Sequence, residues 1–259
     1  MAHLSQTAAA FKALHIPGQP LILANVYDIL SAEAVAALPS CKALATASYG
    51  IAQAAGSTDS ELTLEVNLEA VRKIAKVAQK YNKPLTVDLQ DGYGDSLDKA
   101  VGAVIEAGGV GINIEDVDKS TNKQYGQQEA SARVRKVIEV AKAADLPDLV
   151  VNARCDSLMK GGTLEDTMSR GQAYLDAGAT TVFVMGGPRR GTRTEEIVAL
   201  TEAFRGRLNV TYVMMGDGGL NVQELRKIGI ARISVGPQLM MVAMGHLAGK
   251  AKGMLEEGL

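Results

Sequence analysis

The chain reads as one α/β domain spanning residues 1–259, a (β/α)8 barrel of the TIM type. Three observations predict it. Short apolar runs alternate with amphipathic stretches along the whole length, the pattern of a parallel sheet covered by helices. About eight such units in roughly 250 residues match the size of a single barrel. Three of the runs also end in charged residues, which is costly unless those charges line a polar pocket or hold a metal.

The expected strands are 21–25, 43–46, 85–88, 110–114, 149–153, 181–185, 209–214 and 232–235. Between them the helical pattern covers 64–81, 96–107, 127–144, 164–177, 194–204, 222–228 and 238–248, with a short stretch at 29–38. Ala107-Gly108-Gly109 and Ala177-Gly178-Ala179 end helices just before strands, where glycine suits the left-handed cap. No low-complexity linker divides the chain. A doubly wound open sheet is the rival architecture. The first strand-to-helix turn, Asn25-Val26-Tyr27-Asp28, lacks a glycine-rich phosphate fingerprint, which disfavours that rival.

Composition narrows the function. A hydrophobic fraction of 47% supplies a sizeable core, and a net charge of −2 with pI near 6.0 argues against a nucleic-acid partner. Trp is absent, so stacking platforms are not evident. Cys41 and Cys155 lie far apart without metal spacing, as suits a reducing, cytoplasmic compartment. Neither a membrane-spanning run nor a secretory signal is expected, since residues 1–12 are mixed and polar.

A barrel builds its active site at the C-terminal ends of its strands. Those ends supply Asn25, Ser48-Tyr49-Gly50, Asp88, Glu115, Asn152 with Arg154, Gly186-Gly187 and Gly216-Asp217-Gly218-Gly219. Such a set suits a small anionic oxygen ligand on a divalent metal. Asp88 and Glu115 would stand on neighbouring strands, where hard oxygens favour Mg2+ or Mn2+. Their plainer reading is acids that cap helices or pair with lysines. Arg154 can clamp a carboxylate or phosphoryl group, and its plainer reading is an ion pair with Asp156 or Glu115. Gln90 and Asp91 crowd the Asp88 loop, where either can orient a metal-bound water. His3, His15 and His246 lie near the termini, against a histidine base or a two-histidine metal site. No lysine sits in a strand, against a Schiff-base aldolase. Cys155 reads as a buried filler. Gly216–Gly219 and Ser234-Val235-Gly236 follow the last two strands, where many barrels bind phosphate, though glycine-rich turns are common.

Taken together, several motifs resemble the isocitrate lyase / phosphoenolpyruvate mutase superfamily. They are Ala45-Thr46-Ala47-Ser48-Tyr49-Gly50-Ile51-Ala52, Asp59, the run from Val87 to Asp95, Asn113-Ile114-Glu115-Asp116 and Val151-Asn152-Ala153-Arg154. The likeness runs from about Pro20 to Met244. It implies C–C or P–C chemistry next to an α-oxo acid, through an enolpyruvate-like anion held on Mg2+. It also implies homotetramers, dimers of dimers, that exchange the eighth helix. Position by position, it makes Asp88 the direct metal ligand and Glu115 an outer acid on metal waters. Ser48, Tyr49 and Gly50 receive the oxo acid's oxygens, Asp59 is the catalytic aspartate of a flexible segment, and Arg154 clamps the substrate anion.

Two departures shape the expectation. The superfamily's tricarboxylate lyases carry a Lys-Lys-Cys-Gly-His-type loop, whereas residues 117–126 are short and hold no cysteine. Lys119 and Asn122 loosely resemble the mutase gating loop. Gln90 stands where an acid is usual, so the metal site has one charge fewer and weaker Mg2+ affinity is expected. A glutamine can still hydrogen-bond a metal water, and Asp91 is a candidate to compensate. The expected function is a Mg2+-dependent lyase or hydrolase cleaving a C–C bond in a small 2-oxo or 2-hydroxy dicarboxylate, oxaloacetate- or alkylmalate-like. Phosphonopyruvate hydrolysis or mutation, and a non-catalytic 2-oxo acid binder, are the alternatives.

Overall fold

A computed structural model describes residues 2–187, 191–212 and 219–256. Helix α1 (Ala2–Ala13) precedes a first stave made of β1 (Leu21–Leu23) and β2 (Asn25–Val26). Then come α2 (Ile29–Ala36), β3 (Leu44–Thr46), α3 (Ser48–Ala54), α4 (Leu64–Lys80), β4 (Leu85–Asp88), α5 (Leu97–Glu106) and β5 (Gly111–Glu115). A small antiparallel hairpin, β6 (Val117–Asp118) with β7 (Lys123–Gln124), leads into α6 (Gln127–Ala143). The remainder is β8 (Val150–Cys155), α7 (Leu164–Asp176), β9 (Thr181–Val184), α8 (Thr194–Ala203), β10 (Leu208–Thr211), α9 (Val222–Ile228), β11 (Arg232–Ser234) and α10 (Gln238–Glu256).

The nine-stranded sheet runs in the order β1-β11-β10-β9-β8-β5-β4-β3-β2, with parallel pairings. Its two ends, β1 and β2, are one strand interrupted at Ala24, so the sheet closes as an eight-staved TIM-like barrel. Asn25 fastens the seam. Its Nδ2 donates to the Thr46 carbonyl (2.8 Å), and its Oδ1 accepts from the Val235 (3.1 Å) and Gly236 (3.0 Å) amides. This strand-end residue therefore serves the closure of the barrel.

The outer helices form for local reasons. Thr63 caps α4 by accepting from the Val66 amide, and Leu64, Leu68, Val71, Ile74, Ala75 and Ala78 recur at helical spacing on its buried face. Asn221 and Glu224 make a capping box at the start of α9, and Gly229, at φ 104, ends it.

Several elements depart from the sequence reading. Residues 2–13 form a helix, because Ala8 and Phe11 bury one side of an otherwise polar segment. Residues 48–50 belong to the first turn of α3 rather than to a strand-end loop. The strand expected over 209–214 is Leu208–Thr211, and residues 213–214 lie outside the described residues. Helix α10 continues to Glu256 yet buries none of its described residues, while Ile22 on the outer face of β1 is 46% exposed. Among the described residues no helix is long and apolar enough to cross a membrane.

Helix α1 closes the N-terminal mouth of the barrel. Its Lys12 pairs with Asp148 just before β8 (3.0 Å). Phe11 reaches the start of β5 so closely that a Cβ on Gly111 would lie 2.8 Å from its ring. His15 follows, its Nδ1–H donating to the Phe11 carbonyl (3.0 Å). Desolvation and the nearby Arg232 charge lower its pKa from 6.5 to about 4. An unfolded chain takes up that proton first, so this residue's stabilisation is present above about pH 6.5 and lost as pH falls towards about 4. His15→Gln is expected to remove that part of the acid sensitivity. Urea titrations at about pH 7 and about pH 4.5 should show a smaller acid-induced loss in the variant than in the parent; equal losses would contradict this.

Candidate active site

Strand β4 ends at Asp88, and neutral donors fix its carboxylate. Oδ2 accepts from the Ser48 amide (3.0 Å), while Oδ1 accepts from Asn113 Nδ2 (3.0 Å) and the Gln90 amide (3.3 Å). The Asp88 amide donates to Thr46 Oγ1 (2.8 Å). Behind Asn113 runs a buried relay: its Oδ1 accepts from Asn152 Nδ2 (2.7 Å), whose Oδ1 accepts from Thr181 Oγ1 (2.6 Å). Four adjacent staves, β4, β5, β8 and β9, thus aim one carboxylate. Asn67, fully buried on α4, donates to the Asp88 carbonyl (2.9 Å) and to Tyr93 Oη (2.8 Å).

Ser48 begins α3 and spends its N–H on Asp88. The Tyr49 and Gly50 amides make no hydrogen bond among the described residues. Gly50 is needed for packing, since a Cβ there would lie 2.7 Å from Tyr27. The Tyr49 side chain is exposed.

Register places Glu115 opposite Arg154. Arg154 Nη1 meets Glu115 Oε2 at 2.7 Å and its Nε meets Asp156 Oδ1 at 2.8 Å. The ion pairs weighed as the plainer reading of Arg154 are therefore both present, and Nη2 stays without a hydrogen bond among the described residues. Burial pushes the Glu115 carboxyl well above its ordinary range; Arg154 opposes this, and Asp156, Asp88 and Asp59 add to it. Desolvation works against the Arg154 charge, but Asp156 and Glu115 outweigh it and hold the guanidinium protonated.

Asp59 arrives on a 3-10 turn, Asp59–Glu61. Burial and then repulsion from Asp88 push its carboxyl up, against Ser48's hydroxyl, Arg154 and Lys119. Gln90 lies between these groups. Its Nε2 donates to the Asp59 carbonyl (2.7 Å) and Oδ1 (3.1 Å), and its Oε1 accepts from Lys119 Nζ (2.7 Å). Both N–H groups are thereby used on Asp59, while Oε1, with one bond from Lys119, keeps a second lone pair. Asp91 is directed elsewhere, accepting from the Tyr93 amide (3.0 Å) and from Tyr125 Oη (2.9 Å).

The structure thus gathers Ser48, Asp59, Asp88, Gln90, Glu115 and Arg154 at one mouth of the barrel. It commits Asn25 to the seam and Ser234 to Asn209 (3.1 Å). Residues 216–218 lie outside the described residues. Sequence reasoning missed Asn67, Asn113 and Arg232. The first two had a signal, an amide at a position whose neighbours in the pattern are apolar. Arg232 is 2% exposed inside the barrel, and its Nε and Nη1 have no hydrogen-bond partner among the described residues. Burial drives its pKa down to about 9, against the pull of Asp88.

No three acid, histidine or cysteine side chains cage a common point among the described residues. The donor chemistry nevertheless suits a hard divalent cation. Mg2+ takes one or two carboxylates and fills its octahedron with water and substrate oxygens. Asp88, Glu115 and Asp59 feel one another's charge, and a cation there would relieve it.

Comparison with known proteins places this geometry among relatives. The family model for phosphoenolpyruvate phosphomutase matches residues 11–255. An uncharacterized protein of Mycobacterium tuberculosis is 32% identical over 230 residues, 88% of this chain and 81% of its own length. The phosphonopyruvate hydrolase of Variovorax sp. (strain Pal2) is 27% identical over 180 residues, 65% of this chain and 60% of that protein. The crystal structure of a candidate phosphonomutase from Burkholderia cenocepacia J2315 superposes with TM-score 0.86 at 33% identity, covering 99% of this chain and 100% of that one.

Removing the guanidinium should expose how much charge it balances. Arg154→Met leaves Glu115 and Asp156 without their cation, and breaking a buried pair costs about 3–5 kcal/mol. Urea denaturation at about neutral pH should show a loss of that order. A change under about 1 kcal/mol would mean that the acids are balanced elsewhere.

Proposed function

The chain belongs to the phosphoenolpyruvate phosphomutase family, within the isocitrate lyase / phosphoenolpyruvate mutase superfamily of enzymes, and on that premise we propose the following activity. The protein is a Mg2+-dependent lyase or hydrolase. It cleaves a C–C bond in a small 2-oxo or 2-hydroxy dicarboxylate, oxaloacetate- or alkylmalate-like, through a stabilised enolate. The observation that carries this reading is the state of Arg154. With Nη1 and Nε given to Glu115 and Asp156, it has one terminal nitrogen left for an anion. That suits a singly charged carboxylate better than a doubly charged phosphonyl group.

Each residue then has a task. Asp88, fixed by Ser48, Asn113 and Gln90, is the metal-holding carboxylate, with Glu115 acting through surrounding water. When bound, the cation supplies electrostatic stabilisation of the enolate charge. The Ser48 hydroxyl and the Tyr49 and Gly50 amides receive the oxo acid's oxygens, donors set in place before the charge develops. Arg154 Nη2 takes the far carboxylate and so fixes the bond to be broken. Asp59, its carboxyl raised by burial and by Asp88, transfers the proton or orients the attacking water. A second reading, phosphonopyruvate hydrolysis or mutation, is favoured by the likeness to the Variovorax hydrolase.

The protein should be incubated with Mg2+ and a panel of 2-oxo and 2-hydroxy dicarboxylates plus phosphonopyruvate, following pyruvate, oxalate and phosphate by NMR. C–C cleavage products are expected, lost on chelation and reduced about a hundredfold or more in Asp88→Ala. Phosphate or phosphoenolpyruvate from phosphonopyruvate would establish the second reading instead. Turnover of none of these would sink both.

The assembly proposed is a homotetramer, a dimer of dimers that exchanges α10. Its support is the bare α10, with exposed Met241, Met244 and Leu247, together with the uncovered Ile22. A partner's helix over the first stave would bury both surfaces. Sedimentation of the full chain should give a tetramer, and Met244→Asp with Leu247→Asp should give a smaller species. A monomeric parent protein would refute the exchange.

A further inference from the structure

Gln90 is 2% exposed and holds a left-handed backbone conformation, φ 51, that disfavours any side chain but glycine's. Such strain persists where the surroundings over-determine it. Here they do. The Gln90 N–H donates to Asp88 Oδ1 (3.3 Å), and its carbonyl accepts from the Glu115 amide (2.8 Å). Its side chain donates twice to Asp59 and accepts from Lys119. One residue therefore touches the ends of β4 and β5, the Asp59 turn and the β6–β7 hairpin.

The hairpin and the turn meet through this residue. Lys119 lies between β6 and β7, and its Nζ also donates to the Leu62 carbonyl at the end of the Asp59 turn. The same ammonium stands 4.9 Å from the centre of the Tyr93 ring, whose hydroxyl Asn67 holds (2.8 Å). On its other side the hairpin is tied down by Gln124, which donates to the buried Asp116 (2.9 Å).

The chemistry of position 90 is restrictive. A primary amide is neutral, donates at one end and accepts at the other. It can therefore join an aspartate to a lysine without placing a new charge among Asp59, Asp88 and Glu115. A carboxylate of the same length would keep Lys119 but set a second negative oxygen against Asp59. A methionine of similar length would lose both partners.

We propose that Gln90 is the pin of a two-segment clasp, a positioning residue that locks residues 59–62 and the β6–β7 hairpin together over the Asp88 end of the barrel and so holds Asp59 in place. Its catalytic consequence rests on the reading of Asp59 as the proton-transferring or water-orienting group; the clasp itself does not. The neutral side chain closes the site by hydrogen bonds alone.

Hydrogen–deuterium exchange of the full chain, with chelator and no substrate, reads the clasp without reference to turnover. In Gln90→Met, amides of 57–62 and 117–124 should both exchange about tenfold faster, the factor that loss of one charge-assisted hydrogen bond gives. Strands β4, β5 and β8 should exchange as before. In Gln90→Glu, residues 57–62 should open while 117–124 stays protected, because Lys119 keeps an acceptor. Should the methionine variant fail to fold, Lys119→Met carries the test, with both segments again expected to open. Unchanged exchange in either segment of the methionine variants, or equal opening of both in Gln90→Glu, would overturn the clasp. On whichever substrate the panel identifies, Gln90→Met should lower kcat about tenfold or more with little change in KM, as misplacing a proton-transfer group does. A kinetic failure with the exchange result intact would count against the role of Asp59 and leave the clasp standing.

Discussion

Too much negative charge converges on one mouth of this barrel, and the neighbouring structure is organised by the need to balance it. Burial first, and then the neighbouring acids, push the Asp59 and Glu115 carboxyls upward: Asp88 acts on both, and Asp156 and Asp59 add to it at Glu115. Unpaired charges in such a setting would cost several kcal/mol each. Arg154 meets the need from the side by taking two acids at once, and neutral amides meet the rest. Ser48, Asn113 and Gln90 all donate to Asp88, so its orientation is fixed without further charge.

That requirement explains why the barrel is polar where barrels are usually filled by branched aliphatic side chains. Asn113, Asn152 and Thr181 form a continuous buried relay, and Asn209 with Ser234 forms a second pair. In the relay, Asn113 and Asn152 each satisfy one neighbour with the nitrogen and another with the oxygen, while Asn209 exchanges both of its bonds with Ser234. A half-satisfied network would be worse than an apolar one. Arg232 is a buried cation whose Nε and Nη1 have no hydrogen-bond partner among the described residues, and Thr86 Oγ1 on β4 and Thr211 Oγ1 on β10 are likewise unbonded. The Arg232 charge and that of Asp88 act on each other, so the site is balanced from within the barrel as well as from its rim.

The chain's sequence makes the frame legible because strands and caps are local signals. Apolar runs of four to six residues, glycine stops and acids at strand ends need no knowledge of what lies opposite. Ser48, Asp88, Glu115 and Arg154 are readable in this way, and so are the alternative partners of Arg154, whereas Asp59 follows only from the family resemblance. What escaped depends on contacts between distant segments. Residues 2–13 look polar because only Ala8 and Phe11 are buried, and their target, the start of β5, lies about a hundred residues on. Gln90 reads as part of a weakened metal site because the family it resembles usually has an acid there, and no local signal shows what its side chain bonds. Its actual partners, Asp59 and Lys119, are 31 and 29 residues away in opposite directions.

Charge balance also limits what the pocket can accept. A ligand that enters brings its own negative charge to a mouth where Arg154 is already shared between two carboxylates. Each further anion must be matched by a cation arriving with it or by a proton taken up, and the raised carboxyls of Asp59 and Glu115 make proton uptake the less costly for those two groups. An ammonium from Lys119 is not free to help, because Gln90 and Leu62 hold it above the site. A small dicarboxylate arriving with a divalent cation adds no net charge and satisfies this constraint. A doubly charged phosphonyl group that also carries a carboxylate exceeds it by one charge, which the released Lys119 would have to supply. Under the proposed activity, the charge a substrate brings and the hold on Lys119 would be linked through the same group of carboxylates.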